Sequence, residues 1–155
     1  MLSRKTKYAI NALLHLAREY GTGPVRVSDV AIENNIPQKF LEAILLELRN
    51  AGILGSKKGK SGGYYLLKKP EDVNLAQVLR LMDGAIALLP CVSINYYERC
   101  LECKDEEVCS IREAFLEART ESVRVFENHT LSDLVRRESE LKVKKSRRKP
   151  RLPRI

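Results

Sequence analysis

Along the first half of the chain apolar residues return every three or four positions, the period of helices with one buried face. Ala9, Ile10, Leu13, Leu14, Leu16 and Ala17 give a first helix a wide apolar side. Ser3 is placed to cap its start, and the pattern stops at about Tyr20, before Gly21 and Gly23. Val25–Val27 reads as a short strand, and Ser28 as the cap of a helix over about 29–33. Asn34-Asn35 then makes a turn, and Pro37 opens the next helix, where a missing N–H costs nothing. Phe40, Leu41, Ile44, Leu45 and Leu48 form the core face of that helix, and Asn50 and Gly52 end it. Ile53 and Leu54 start a strand, Gly62-Gly63 turns the chain, and Tyr64 to Leu67 returns. The pattern predicts a helix-turn-helix followed by a small hairpin.

The second half is patterned differently. Asn74 caps a helix through about Met82, with Leu75, Val78, Leu79 and Met82 on one side, and Gly84 ends it. From Ser110 to about Asn128 the residues Ile111, Phe115, Ala118, Ser122 and Val125 step by four and three, a seam at heptad spacing. That helix would be about 28 Å long. The small residues Ala118 and Ser122 suit close pairing with an identical helix; packing on its own domain is the competing reading. Thr130 caps a final short helix bearing Leu131, Leu134 and Val135. His15 and His129 read as packed or surface residues rather than ligands.

Charge changes what the hairpin means. Five cations (Lys57, Lys58, Lys60, Lys68, Lys69) and no acid lie between Gly55 and Lys69. Residues 1–69 carry 12 Lys+Arg against 5 Asp+Glu, residues 70–141 carry 8 against 15, and residues 142–155 carry 8 against none. The net charge of +8 therefore hides an amino-terminal half facing an anionic partner and an acidic second half. A cationic, glycine-tipped hairpin after such a helix has the layout of a winged helix-turn-helix, whose second helix enters the major groove while the wing follows phosphates. An ordinary helix and hairpin with a solvated basic turn is the bland alternative. The tail from Lys142 reads as disordered, either a solubilising end or a phosphate-binding arm.

At 155 residues and 44% apolar composition the chain has the size of one domain with a modest core. No apolar run approaches the roughly 20 residues that span a bilayer, and the start does not read as a signal peptide. The expected compartment is the cytoplasm, where cysteines serve as ligands or redox groups more often than as disulfides. All four fall in one stretch, Cys91, Cys100, Cys103 and Cys109, with spacing C-x8-C-x2-C-x5-C. Structural zinc sites usually show two close pairs, and only Cys100 and Cys103 form one here. A thioredoxin-like pair expects a βαβ setting that this pattern lacks. Thiolate ligation of an iron–sulfur cluster accommodates irregular spacing better.

YAINALLHLA (Tyr8–Ala17), LRNAGILGSKKGKSGGYYL (Leu48–Leu66), NLAQVLRLMDG (Asn74–Gly84) and the downstream cysteines resemble the Rrf2 family of bacterial transcription regulators over roughly residues 1–135. The wing motif SxxGxxGGYxL is its most specific part. The resemblance implies a homodimeric winged-helix regulator binding double-stranded operator DNA, in many members controlled by an iron–sulfur cluster. It also implies cluster ligands at Cys91, Cys103 and Cys109, since Rrf2 sensors carry three cysteines, the last two separated by five residues. The interval from Cys91 to Cys103 is longer than usual, and Cys100 is an extra thiol: it replaces an expected ligand or is itself the fourth. The family's fourth ligand is often not cysteine, so Glu106, Glu107 and Glu113 stand as alternatives.

The expected fold is mainly α with a small β wing: a winged helix-turn-helix domain plus a long C-terminal dimerisation helix. Its expected parts are a DNA-binding domain (1–84), a cysteine-containing sensor loop (85–109), the dimerisation and short terminal helices (110–141) and a basic tail (142–155). The DNA-contact candidates are Ser28, Gln38, Lys39, Glu42, Lys57, Lys58, Lys60, Ser61, Gly62 and Gly63. The expected function is regulation of transcription, not catalysis, with operator affinity controlled by a cluster of two-iron or four-iron type. The alternatives are a zinc or disulfide switch in the same kind of regulator, or a CxxC oxidoreductase. No histidine, positioning loop or nucleotide motif accompanies the CxxC pair, which argues against the last.

Overall fold

Helix α1 (Arg4–Arg18) is the element on which the others are assembled. The Ser3 hydroxyl accepts the Thr6 N–H to cap it, and the Asp83 carboxylate accepts both the N–H and the hydroxyl of Ser3. The start of α1 is thereby tied to the end of α4 (Leu75–Asp83). Ala9, Ala12, Leu13 and Leu16 are buried along one face, each such leucine contributing about 1.5–3 kcal/mol. The computed structural model describes residues 2–148, with Arg147 and Arg148 by backbone alone.

Two helices lean on α1 in the expected helix-turn-helix order: α2 (Val27–Glu33) and α3 (Gln38–Asn50). Helix α2 begins earlier than the pattern suggests. Arg26 is its N-cap and Ser28 lies inside the first turn, its hydroxyl bonded to the Asp29 carboxylate. Because Val27 is already helical, the strand expected at Val25–Val27 reduces to Val25, which exchanges two backbone hydrogen bonds with Tyr64. Asn35 makes the turn at φ +51°, a left-handed conformation that asparagine adopts more readily than most residues. Leu41, Ile44, Leu45 and Leu48 bury the core face of α3, with Pro37 as its N-cap. Phe40 departs from the expected face. It is 44% exposed and meets the Tyr8 ring edge-on at 5.8 Å.

The hairpin pairs β1 (Leu54–Lys57) with β2 (Gly63–Leu66) antiparallel, Leu54 opposite Leu66 and Lys57 opposite Gly63. Leu54 and Leu66 are buried, which fixes the register, since a slip by one residue would turn both to solvent. The Asn74 side chain caps α4 by accepting the Gln77 N–H. The fold class is the expected one, mainly helical with one small wing.

Beyond Gly84 the chain makes a short 3-10 turn at Pro90–Val92, an extended cysteine loop, and then α5 (Ser110–Glu127). The last helix, α6 (Leu131–Arg148), is longer than the short element expected, so residues 142–148 are helical rather than disordered. Residues 149–155 of the basic tail lie outside the described residues. Thr130 and Asp133 start α6 with reciprocal bonds: the Asp133 N–H to the Thr130 hydroxyl, and the Thr130 N–H and hydroxyl to the Asp133 carboxylate. Leu131 then enters the core, and Glu138 pairs with Arg18 of α1 at 2.8 Å. Helix α6 therefore returns to the amino-terminal half, while α5 stays outside it.

Candidate functional site

The cationic surface is assembled from the start of α3, the wing, and the approach to α2. Gln38, Lys39 and Glu42 are all exposed on α3, and the Gln38 amide donates to the Glu42 carboxylate at 3.0 Å. Lys57 ends β1; Lys58, Lys60 and Ser61 are exposed on the loop that follows. The two glycines closing this loop are required by space rather than by backbone angle. A Cβ on Gly62 would overlap the Lys57 carbonyl, and one on Gly63 the Val25 carbonyl. Ser28 is half-buried beside Asp29.

Two cations that pattern reasoning passed over brace this surface. The Arg26 guanidinium donates to the Lys60 carbonyl at 3.3 Å, joining the cap of α2 to the wing loop. Arg49 reaches the Ser56 hydroxyl at 3.5 Å, joining the end of α3 to β1. Their only sequence signal is position: each is a cation at the border of an element, within the half of the chain that is net positive.

The four cysteines line one cavity of about 360 Å³, together with Leu89, Val108 and Ile111 and the polar residues Glu106 and Arg112. All four are free thiols. Cys91 is buried in the 3-10 turn. Cys109 is the N-cap of α5, its sulfur accepting the Arg112 N–H at 3.5 Å. Cys103 is half-buried and donates to the Asp105 carbonyl at 3.3 Å; partial burial, then the adjacent Cys109 thiol, pushes its pKa up. Cys100 is exposed and donates to the Glu102 carboxylate at 3.1 Å, and this bond pushes its pKa up as well. Among the described residues no three His, Cys, Asp or Glu side chains are already converged on a metal position. The donors nevertheless suit an iron–sulfur cluster, being four soft sulfurs on one partly apolar cavity wall.

Two residues of this cavity wall, Glu106 and Arg112, belong to a polar cluster with Tyr97. The Tyr97 hydroxyl donates to both carboxylate oxygens of Glu106, at 2.7 and 2.8 Å, and this bond pushes the tyrosine's pKa above its ordinary value. Arg112 Nε stands 3.8 Å from Glu106, and this nitrogen is buried without a hydrogen-bond partner.

Helix α5, directly after the loop, contains no buried residue. Ile111, Ala118, Ser122 and Val125 of the expected seam are exposed and Phe115 is half-buried. Phe115, Ala118 and Ser122 line a groove of about 500 Å³ against Leu79 and the segment Ala85–Leu88. No helix among the described residues is long and apolar enough to cross a membrane.

A family model named Rrf2 and described as an iron-dependent transcriptional regulator matches residues 2–137. A chain of Rhodobacter capsulatus named an rrf2-like HTH-type transcriptional regulator is 41% identical over 138 residues, 87% of this chain and 92% of its own length. The HTH-type transcriptional regulator NsrR of Halalkalibacterium halodurans is 31% identical over 140 residues, 90% and 93% of the two chains. The solved structure of CymR, the global cysteine regulator of Bacillus subtilis, superposes with a TM-score of 0.73 at 28% identity, covering 87% of this chain and 95% of that one.

Proposed function

Because the chain belongs to the Rrf2 family of transcription regulators, we propose that it acts as a homodimer whose affinity for operator DNA is set by an iron–sulfur cluster at the cysteine loop. The observation that carries this reading is one of adjacency. Four thiols line a single cavity immediately before a helix in which no residue is fully buried by its own chain. Cys91, Cys103 and Cys109 are the first ligands, two of them fixed in place by a 3-10 turn and a helix N-terminus. When bound, the cluster supplies a redox-sensitive cross-link between the loop and α5. Its presence would set the angle at which α5 leaves the reading domain. Two recognition helices must reach grooves about 34 Å apart, so a small change in that angle alters fit on DNA. Gln38, Lys39 and Glu42 would then read base edges, with Ser28, Ser61, Gly62, Gly63 and the wing lysines against the backbone.

Purification without oxygen, followed by iron and acid-labile sulfide analysis and titration of an operator fragment, tests the proposal. The expected protein is brown, and Cys91→Ala, Cys103→Ala and Cys109→Ala each lose iron and sulfide. A colourless preparation holding zinc and no iron, even after reconstitution, rejects it.

A metal-free thiol switch is the second reading, supported by the adjacency of the Cys103 and Cys109 thiols. It expects metal-free protein whose operator affinity changes on treatment with peroxide and returns with dithiothreitol, and which Cys103→Ala makes unresponsive.

A further inference from the structure

Resting on the cluster reading above, we infer that Cys100 is the fourth ligand: the cluster is held by four thiolates of one chain, with the Arg112 Nε–H donating to its sulfur. The alternative ligands are already engaged or lie elsewhere. Glu106 accepts the Tyr97 hydroxyl through both oxygens and faces Arg112. The Asp105 carboxylate accepts the Glu107 N–H at 2.9 Å. Glu107 and Glu113 are not on the cavity wall, whereas Cys100 is. Both histidines are remote: His15 is buried beside Glu33 of α2, and His129 bonds the Val125 carbonyl at the end of α5.

Charge and hydrogen bonding point the same way. Four thiolates carry one more negative charge than three with a neutral partner, so the site needs compensating donors. Arg112 and Lys104 are the cations on the cavity wall. The Arg112 Nε is buried and unpartnered, a costly state unless an acceptor arrives. A thiolate or bridging sulfide in this cavity is such an acceptor, and hydrogen bonds of this kind stabilise clusters and set their potentials. Cys100 is exposed while Cys91 is buried and Cys103 and Cys109 are half-buried, so its ligation would take the last of the four sulfurs out of solvent.

Anaerobic alkylation with iodoacetamide, read by mass spectrometry on reconstituted and metal-free full-length protein, tests the assignment. In the metal-free protein the exposed Cys100 should label readily; in the iron-loaded protein it should label at least about tenfold more slowly, alongside the other three. Glu106→Gln should leave that four-thiol protection unchanged. Cys100→Ala, checked for folding by its helical circular dichroism, should release iron to a chelator at least about tenfold faster, and Arg112→Gln about 10–100-fold faster with its initial iron content kept. Iron-loaded protein in which Cys100 labels as fast as in the metal-free form, or in which Glu106→Gln opens a protected site, overturns this inference alone. Absence of iron from the unsubstituted protein overturns the cluster reading and this inference together.

Discussion

Helices α3 and α5 differ in what their own chain gives them. Helix α3 has 13 residues and buries Leu41, Ile44, Leu45 and Leu48; α5 has 18 and buries none. The contrast extends to whole regions, since the core draws on α1 to α4, the hairpin and Leu131, and no residue between Gly84 and Asn128 belongs to it. Most helical stability in proteins comes from packing an amphipathic face. The reading half is therefore complete within one chain, while the cysteine loop and α5 present unpacked surface: Leu88, Ile94, Tyr96, Leu101, Val108 and Ile111 are all exposed. Under the proposal above, a DNA-reading head held rigid by its own core would be joined to a segment completed by a second subunit. In that arrangement the switching equilibrium would sit in the second part, and the first would transmit its position unchanged.

The largest expected effect tests the rigid side. Leu45→Ala removes a fully buried side chain and should cost about 2–5 kcal/mol, read as a fall in the urea midpoint. Because this core is internal to a chain, the loss should be equal at low and high protein concentration. A loss that fades on dilution would show that the core itself depends on a second subunit.

Next comes the open side. Ala118 is exposed on α5 beside Ser122, so Ala118→Glu should leave the isolated chain folded. Between two copies it would overpack the seam, at about 1–3 kcal/mol per subunit, and oppose two carboxylates. Sedimentation should show a dimer at micromolar concentration shifting to monomer, with circular dichroism unchanged. An unsubstituted protein that sediments as a monomer would remove the dimer from the proposal.

The same contrast explains what the sequence could and could not convey. Helices α1, α3 and α4 were legible because a filled core imposes the period of Leu13, Leu16, Leu41, Ile44, Leu45 and Leu48, and caps such as Ser3 and Asn74 mark the ends. Errors fell where local signals compete. Ser28 is a good cap by type, yet the chain is already helical at Val27, and Phe40 fits the apolar period while sitting at the margin against Tyr8. The length of α6 was hidden because charge alone argued for disorder, whereas Arg18–Glu138 and Glu138–Lys142 pairs support its continuation. The cysteine spacing named the donors but not their arrangement. An extended loop has no period, so the Tyr97–Glu106–Arg112 polar cluster and the shared cavity appear only in three dimensions.

Within the reading half, helix and wing should carry separable parts of DNA binding. Replacing Gln38 or Lys39 should cost about 1–3 kcal/mol of preference for operator over random DNA. Neutralising one of Lys57, Lys58 or Lys60 per subunit should lower the salt slope by about 2 and weaken all sequences alike. Gly63→Val, which collides with the Val25 carbonyl, should act like the loss of several wing lysines together. Unchanged operator preference in the Gln38 and Lys39 variants would move the reading element away from α3.

The smallest effect lies at the junction of the two regions, where α6 re-enters the core. Bonds from the Thr130 hydroxyl and then the Thr130 N–H, with Arg136 nearby, hold the Asp133 carboxyl below its ordinary pKa. A depressed pKa means that the ionised form is the one favoured by folding. The stabilisation is therefore fully present above the ordinary carboxylate value of about 4 and is lost as the pH falls through the lower folded value. Asp133→Asn keeps the shape and removes the charge. It should loosen the first turn of α6 at pH 7, seen as faster amide exchange at Leu134 and Val135, and the difference from the unsubstituted protein should vanish only as the pH falls through the lowered folded value. Amides of α5 should be unaffected across that range, because Leu131 anchors α6 to the reading half and not to α5. Equal exchange in the two proteins at pH 7 would mean that the cap is incidental and that Leu131 alone fixes the junction.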